Sequence, residues 1–208
     1  MRGKNPIVYV VDDDPFVRKA LERLLRSGGY ETKTFASALE FMDYNPSHVP
    51  SCLVLDVKMP KLNGLELQDR LAEKEIFVPI IFITAYGTVP DSVRALKAGA
   101  MDFLEKPFKE NELLETVKKG IQKHHILVKQ KERMKILTAR LHTLTPRERE
   151  VFKLVVSGML NKQVAYDLGI TERTIKEHRA QVMQKMKAES FADLVRFAEK
   201  LQIHSSTN

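Results

Sequence analysis

The chain has 208 residues, 43% of them hydrophobic and 29% charged, a composition that excludes general disorder and is typical of a folded globular protein. Its longest nearly unbroken apolar stretch, Val78 to Tyr86, is far shorter than the ~20 residues that a membrane helix needs. No charged segment followed by an apolar signal core opens the sequence, so we expect a cytoplasmic protein. The single cysteine, Cys52, lies in an apolar run and is expected to be a small buried residue.

The positive charge is unevenly distributed along the chain. Of the net charge of +7, residues 1–120 hold −1 and residues 121–208 hold +8. This asymmetry indicates a polyanionic partner for the second part of the chain only. Nucleic acid is the first candidate and an anionic membrane surface the second, and charge alone does not choose between them.

Short apolar runs alternate with helical patterns through the first 120 residues. The strands are predicted near 7–11, 31–35, 51–56, 79–83 and 101–104. The helices are predicted near 15–28, 37–45, 63–74, 90–98 and 109–120. The first, third and fourth strands are apolar without alternation, as expected when helices cover both faces of a sheet. The pattern therefore predicts an α/β, doubly wound sheet of five parallel strands.

Acidic residues follow two of these strands. Asp12, Asp13 and Asp14 come after the first strand, and Asp56 ends the third. A basic residue, Lys106, follows the fifth strand, and the carboxyl ends of parallel strands share one edge of a sheet. Clustered carboxylates at such an edge are suitable ligands for Mg²⁺. Asp14, which precedes a proline, is instead expected to cap the first helix.

A different pattern runs from residue 121 to residue 144. Apolar residues recur there at intervals of seven among basic and polar ones, which predicts one long helix. Two interpretations are open: a connector that rests its apolar stripe on its own domains, which we prefer, or a dimer seam. His124 and His125 are expected on the solvated face of this helix rather than in a metal site.

The last part of the chain is predicted to be entirely helical. Thr145, Pro146 and Glu148 form a capping box, which marks the start of a helix that ends at Gly158. Further helices are predicted at 161–168, 172–187 and in the amphipathic segment around 191–201. Short helices with a tight turn between the second and third are typical of a helix-turn-helix domain.

Several motifs resemble those of a known family. The segments at 10–14 (VVDDD), 55–60 (LDVKMP), 83–87 (ITAYG) and 105–108 (EKPF) are similar to a CheY-like receiver. Residues 144–151, 158–165 and 171–179 look like a LuxR-type helix-turn-helix. The whole chain thus resembles the two-component response regulators of the NarL/FixJ class. The resemblance implies a flavodoxin-like receiver with strand order 2-1-3-4-5 at 1–120, a helical linker at 121–142 and a DNA-binding domain at 143–208.

The resemblance also implies roles for the acidic cluster. Asp56 would be the phosphoryl acceptor, with Thr84 contacting the phosphoryl group and Lys106 pairing with it. The implied ligands of Mg²⁺, for which Mn²⁺ is a possible substitute, are Asp12, Asp13, Asp56 and the backbone carbonyl of Lys58. A carboxylate can act as a nucleophile toward phosphorus, and alignment with charge neutralisation is the main task of such a site.

Further roles follow from the same resemblance. Thr84 and Phe103 would move together on phosphorylation, although plain core packing is the alternative for Phe103. Lys58 and Tyr86 are expected to tune the lifetime of the phosphoryl group. The exposed face expected to mediate dimerisation includes Val89, Val93, Leu96 and Phe108.

The helix predicted at 172–187 is the candidate recognition helix. Ile175, Val182 and Met186 share one face and are expected to be buried, so the opposite face points outward. The candidates for reading bases are Arg173, Lys176, Glu177 and Ala180, with Gln184 on the same face. The candidates for contacting phosphate are Lys162, Thr174, Arg179 and Lys185, for which an ordinary solvated charged face is the alternative.

These observations favour a transcription regulator that a sensor histidine kinase phosphorylates on Asp56 and that binds promoter DNA as a homodimer, with RNA polymerase as a further partner. The LuxR-type motif favours DNA over a membrane. A phosphatase or phosphotransfer enzyme is a competing interpretation, but no second nucleophile or general base is visible. A third interpretation is a DNA-binding protein whose acidic site only holds a metal.

Overall fold

The computed structural model describes residues 5–44, 49–85 and 88–203. The chain divides into two compact units, residues 1–129 and 130–208. Among the described residues, none of the helices combines the length and the apolar character needed to cross a membrane.

The first unit alternates strands with helices. Its strands are β1 (Ile7–Val11), β2 (Glu31–Phe35), β3 (Ser51–Asp56), β4 (Ile80–Thr84) and β5 (Asp102–Glu105). Its helices are α1 (Pro15–Ser27), α2 (Ala38–Asp43), α3 (Gly64–Glu73), α4 (Val89–Lys97) and the start of α5 (Glu110–His142). The strands form one parallel sheet in the order β2-β1-β3-β4-β5, which confirms the predicted fold.

A core lies on each face of this sheet. Alternate residues of β1 point to opposite faces: Tyr9 packs in one buried cluster and Val8 in the other. Every residue of β1 is buried, because helices cover both faces. The sheet register places the last residues of β1 and β3 side by side, with Val11 opposite Leu55. The residues that follow β1 therefore begin beside Asp56.

The fifth helix is longer than the helix that the sequence predicted at 109–120. The helix expected at 109–120 and the connector helix expected after it form one continuous helix, α5. Position 120 within this helix is a glycine, and a Cβ at this position would lie only 2.9 Å from Sγ of Cys52 on β3. The absence of a side chain therefore allows α5 to pack closely on the sheet. Farther along, Leu137 is buried in the core of the second unit, together with Leu144 just after the helix. Packing of these two positions within one unit fits the preferred connector interpretation, whereas Leu127 of the same stripe is exposed.

One prediction on this helix was wrong. His125 is exposed, as expected, but His124 is partly buried against β3. Its Nδ1 atom accepts a 2.8 Å hydrogen bond from the backbone N–H of Ser51. The helix continues over the start of β3 beyond Gly120, so this position faces the sheet rather than solvent.

The second unit is helical, as predicted. After the end of α5 it contains α6 (Pro146–Val156), α7 (Asn161–Leu168), α8 (Glu172–Met186) and α9 (Phe191–Lys200). Thr145 and Glu148 form the predicted capping box at the start of α6. Gly169 has a φ of 65° in the tight turn between α7 and α8, a conformation that glycine adopts without strain. The pair α7–α8 is thus a helix-turn-helix.

Candidate acidic site and nucleic-acid interface

Three of the predicted site residues meet at the carboxyl edge of the sheet. Asp12 follows β1 and Asp56 ends β3, and the two residues are only 1% and 6% exposed. Lys106, which follows β5, places its Nζ atom 2.8 Å from Oδ2 of Asp12 and 2.8 Å from Oδ1 of Asp56. One ammonium group therefore bridges two buried carboxylates.

Backbone groups fix the orientation of both carboxylates. The N–H of Asp14 donates to Oδ1 of Asp12 at 2.9 Å, and the N–H of Lys58 donates to Oδ2 of Asp56 at 2.7 Å. The backbone N–H of Lys106 donates to the Thr84 carbonyl at 2.7 Å, and the Lys106–Pro107 peptide bond is cis. The site is therefore built from strand ends and tight turns, whose backbone geometry is set by the sheet.

Burial dominates the electrostatics of this cluster. It raises the pKa of the Asp56 carboxyl above its ordinary value, and the nearby Lys106 ammonium offsets this only in part. Burial by itself lowers the pKa of Lys106, but its hydrogen bonds to Asp12 and Asp56 outweigh this effect, and the net shift is upward. With both carboxylates ionised, one cation faces two anions, so the cluster keeps a net negative charge that favours a further cation.

The third predicted metal ligand lies apart from this pair. Asp13 is exposed, and no three His, Cys, Asp or Glu side chains among the described residues stand close enough together to form a metal site. Asp13 therefore stands outside the buried pair in this arrangement, in which the Lys106 ammonium contacts both Asp12 and Asp56. The available donors are nevertheless all oxygens, which are the ligands that Mg²⁺ prefers.

Two neighbours of the cluster have clear structural roles. Asp14 caps α1, as predicted: its Oδ1 accepts a 2.7 Å hydrogen bond from the Phe16 N–H. Arg18 donates from Nη1 to the Asp12 backbone carbonyl at 2.7 Å. The sequence interpretation missed Arg18, although its place one turn into the helix that follows the acids was a usable signal.

The close approach of α3 to β3 was a second omission. The first residue of α3, Gly64, lies so close to the end of β3 that a Cβ would stand 2.3 Å from the Asp56 carbonyl oxygen. The backbone N–H of Gly64 also donates to the Val57 carbonyl at 2.9 Å. Only glycine fits this position without a shift of backbone, so Gly64 helps to set the place of Asp56.

The recognition helix has the predicted faces. Ile175, Val182 and Met186 are buried. The opposite face is exposed and carries Arg173, Lys176, Glu177, Ala180 and Gln184. Two ion pairs along the helix are long and exposed, Arg173 with Glu177 at 3.4 Å and Lys176 with Glu172 at 3.5 Å. Such pairs are weak, so these side chains can exchange their partners for other polar groups.

The four phosphate candidates differ in their surroundings, and one of them, Arg179, is partly buried on α8. Lys162 is exposed on α7. Thr174 donates its backbone N–H to the Thr171 hydroxyl at 3.1 Å in the cap of α8. Lys185 forms an ion pair at 2.7 Å with Glu148, which is almost completely buried. This pairing argues against the expected phosphate contact of Lys185, because its ammonium already has an internal partner.

Comparison with known protein families agrees with the structures of both units. Residues 8–118 match the family described as response regulator receiver domain. Residues 142–198 match the family described as bacterial regulatory proteins, luxR family. The chain belongs to the response regulators. Its two matched segments are the unit that carries Asp12, Asp56 and Lys106 and the unit that carries the helix-turn-helix.

Curated relatives resemble this response regulator over nearly its whole length. Nodulation protein W of Bradyrhizobium diazoefficiens is 46% identical over 200 residues, which cover 96% of the chain and 88% of the relative. Transcriptional regulatory protein FixJ of Rhizobium meliloti is 42% identical, with coverages of 92% and 94%. Response regulator protein TodT of Pseudomonas putida is 41% identical, with coverages of 97% and 89%.

Solved structures of two response regulators match nearly the whole chain. The response regulator StyR matches with a TM-score of 0.87 and 44% identity, covering 95% of this chain and 100% of the other. Full-length FixJ from B. japonicum matches with a TM-score of 0.57 and 39% identity, with coverages of 96% and 98%. The chain is therefore a NarL/FixJ-class response regulator, a phosphorylatable transcription regulator rather than an enzyme.

The residues expected to couple the site of this response regulator to its surface lie on β4, β5 and α4. Thr84, at the end of β4, is buried, and Phe103 on β5 is partly buried with its ring 6.1 Å from that of Phe82. This contact fits both core packing and switching. Tyr86 lies outside the described residues. The α4 face exposes Val89, Val93 and Leu96, whereas Phe108 is partly buried.

Proposed function

We propose that Asp56 is the phosphoryl acceptor of this response regulator and that a sensor histidine kinase is the donor. The observation that carries the proposal is the Lys106 ammonium, which lies 2.8 Å from the carboxylates of both Asp12 and Asp56 at the carboxyl edge of the sheet. A buried acid with a fixed cation beside it has the local charge that phosphoryl transfer requires.

The transfer itself needs one nucleophile. A carboxylate oxygen of Asp56 forms a bond to phosphorus while the bond between phosphorus and the kinase histidine breaks, which leaves an acyl phosphate. Lys106 would then pair with a phosphoryl oxygen in place of the carboxylate, and the Thr84 hydroxyl would donate to another. Lys58 and Tyr86 would tune the lifetime of this acyl phosphate.

A divalent cation fits the same place. We propose that Asp12, Asp13, Asp56 and the Lys58 backbone carbonyl hold Mg²⁺, with Mn²⁺ as a possible substitute. When bound, the ion would neutralise phosphoryl oxygens and help to align the group for transfer. The net negative charge of the cluster and its all-oxygen donors support this assignment.

Phosphorylation of Asp56 can be measured directly. Treatment with acetyl phosphate and Mg²⁺ should add the mass of one phosphoryl group, and peptide mapping should place it on Asp56. Asp56→Asn should abolish the addition. Asp14→Asn is the matched control, because asparagine also caps helices and Asp14 serves as a cap. Labelling of Asp56→Asn at the rate of the unchanged protein would refute the assignment.

We further propose that phosphorylation leads to dimerisation and promoter binding. Concerted movement of Thr84 and Phe103 would alter the α4 face, and its exposed apolar side chains, Val89 and Val93 among them, would meet those of a second copy. Beryllofluoride should therefore convert monomer to dimer in a light-scattering measurement, and Val93→Asp should block the conversion. Normal dimerisation of Val93→Asp would contradict this surface.

The DNA contacts are assigned from the exposed face of α8. The proposed base-reading residues are Arg173, Lys176, Glu177 and Ala180. Lys162, Thr174 and Arg179 are the proposed phosphate contacts, which Lys185 joins only if its pair with Glu148 opens. DNA selection with and without beryllofluoride, compared with Asp56→Asn, tests the switch. Equal selection in all three states would defeat it.

The remaining assignments follow from promoter binding. RNA polymerase is the proposed further partner, and a cytoplasmic location is proposed because promoter DNA is found there.

We propose a receiver at 1–120, a linker at 121–142 and a DNA-binding domain at 143–208. Limited proteolysis that cut first at residues 121–142 would support these limits, and first cuts within either domain would contradict them.

A further inference from the structure

Arg179 lies in the middle of α8, where one residue from each of two neighbouring helices contacts it. Its Nη1 atom donates a 2.9 Å hydrogen bond to Oδ1 of Asn161, the first residue of α7. Its guanidinium carbon lies 5.0 Å from the centroid of the Phe191 ring, and Phe191 is the first residue of α9. Both partners are uncharged, so they hold the guanidinium group without neutralising its charge.

The other basic side chains of α8 are different. Three of them form ion pairs with carboxylates: Arg173 with Glu177, Lys176 with Glu172, and Lys185 with Glu148. Arg179 forms no ion pair within the described ranges 5–44, 49–85 and 88–203. It is thus a basic residue of this helix whose position is fixed and whose charge is left for an external partner.

An arginine in this state suits a phosphate oxygen. The guanidinium group carries five N–H donors in a planar fork, and the hydrogen bond to Asn161 uses one of them. Ordering a long side chain at an interface opposes binding, so a side chain that is ordered in advance binds more tightly. A cation over an aromatic ring keeps its charge while the contact orients it.

We propose that Asn161 and Phe191 are positioning residues that hold Arg179 for contact with a DNA phosphate. The proposal rests on the DNA-binding function proposed above and adds two residues that lie outside the base-reading face. Arg179 makes the contact itself, and its two neighbours act through it. The ligand is the phosphodiester backbone, so the contact strengthens binding to any duplex sequence.

Salt dependence tests the role of Arg179. Binding of the full-length protein to a duplex of arbitrary sequence is measured by fluorescence anisotropy over a series of salt concentrations. Arg179→Met keeps the aliphatic part of the side chain. The slope of log K against log salt is negative, and the substitution should reduce its magnitude by about 0.9 for each phosphate that is no longer neutralised. Arg196→Met is the matched control, because Asp193 already pairs with that guanidinium, and it should leave the slope unchanged.

The positioning residues should have a different effect. Asn161→Ala and Phe191→Leu leave the charge of Arg179 in place, so the slope should be kept while the Kd rises about two- to tenfold, the size of one side-chain ordering effect. In the Arg179→Met background the same two substitutions should weaken binding no further. Thermal unfolding of every variant separates effects on the fold from effects on DNA.

The outcomes distinguish this inference from the function on which it rests. If the unchanged protein showed no salt-dependent binding to duplex DNA, the proposed function and the inference would both fail. If it bound with a steep slope that Arg179→Met left unaltered, the inference alone would be overturned. It would also be overturned if Asn161→Ala and Phe191→Leu weakened binding equally with and without Arg179, because their role would then be purely structural.

Discussion

The Nδ1 atom of His124 accepts a 2.8 Å hydrogen bond from the backbone N–H of Ser51, which ties α5 to the first residue of β3. The Ser51 hydroxyl lies 3.1 Å from the same nitrogen. This contact lies at the amino end of the strand whose carboxyl end carries Asp56. The first unit therefore holds the continuation of α5 by a polar contact as well as by apolar packing.

The His124 contact predicts a pH dependence of stability. Burial lowers the pKa of His124 below its ordinary value of 6.5, and the contacts with the Ser51 and Phe77 backbones offset this only in part. The pKa of His124 is lower in the folded protein than in the unfolded one. The contribution of neutral His124 to the free energy of unfolding is therefore complete above about pH 6.5 and is lost as the pH falls through the folded pKa. Chemical denaturation at a series of pH values measures it.

His124→Asn supplies the control, because its Oδ1 can accept the same hydrogen bond without titrating. The unfolding free energy of the unchanged protein should fall relative to that of His124→Asn on acidification from pH 7 to pH 5. His124→Leu should lose about 1 kcal/mol at pH 7, the usual contribution of one hydrogen bond. Parallel pH curves for the unchanged protein and His124→Asn would show that His124 does not carry the effect.

The sequence was sufficient for the fold and for the central pair of acids. Unalternating apolar runs indicated buried parallel strands, and strand ends bring Asp12 and Asp56 together whatever the details of packing. The polar composition around His124 led to the wrong prediction of a solvated position, because tertiary contacts decide whether a helix continues over a sheet. The partner of Lys185, Glu148, lies 37 residues away in the chain, and local pattern carries no information on such a pair.

Gly64 should tolerate no side chain. Gly64→Ala places a Cβ against the Asp56 carbonyl, so α3 or the end of β3 must shift, and we expect a loss of about 1–3 kcal/mol in unfolding free energy. The displacement should also slow phosphorylation of Asp56 by acetyl phosphate. Gly28→Ala is the control, because the closest contact of its Cβ would be the flexible end of Leu114 at 2.8 Å, and the nearest backbone atom, the Leu25 carbonyl oxygen, lies at an ordinary 3.4 Å. Equal stability losses for the two variants would argue against a special constraint at Gly64.

The pair of Glu148 and Lys185 should stabilise the helical unit. Lys185→Met leaves the buried carboxylate without its cation, and we expect a loss of about 2 kcal/mol, the scale of a hydrogen bond to a charged group. Glu148→Gln combined with Lys185→Met should recover part of that loss, because glutamine keeps the capping box and removes the unpaired charge. Thermal and urea unfolding measure both effects.

The same pair predicts a response to acid. Burial by itself raises the pKa of Glu148, but the hydrogen bonds from Lys185 and Thr145 outweigh it, and the net shift is below the ordinary 4.5. A lowered folded pKa means that the stabilisation is present above about pH 4.5 and is lost as the pH falls through the folded value. The stability difference between the unchanged protein and Glu148→Gln should therefore narrow in acid, and a constant difference would contradict the pairing.

Cys52 should be unreactive in the folded protein. Its side chain is fully buried on β3, its Sγ donates to the Pro79 carbonyl at 3.3 Å, and burial raises the pKa of the thiol to about 12. The thiolate is the reactive form of cysteine. A thiol reagent at pH 8 should therefore label Cys52 only as fast as the folded structure around it opens. Gly120→Ala, whose Cβ would press on Sγ at 2.9 Å, should accelerate labelling by loosening the contact of α5 with β3. Rapid labelling of the unchanged folded protein would show that this contact is open in solution.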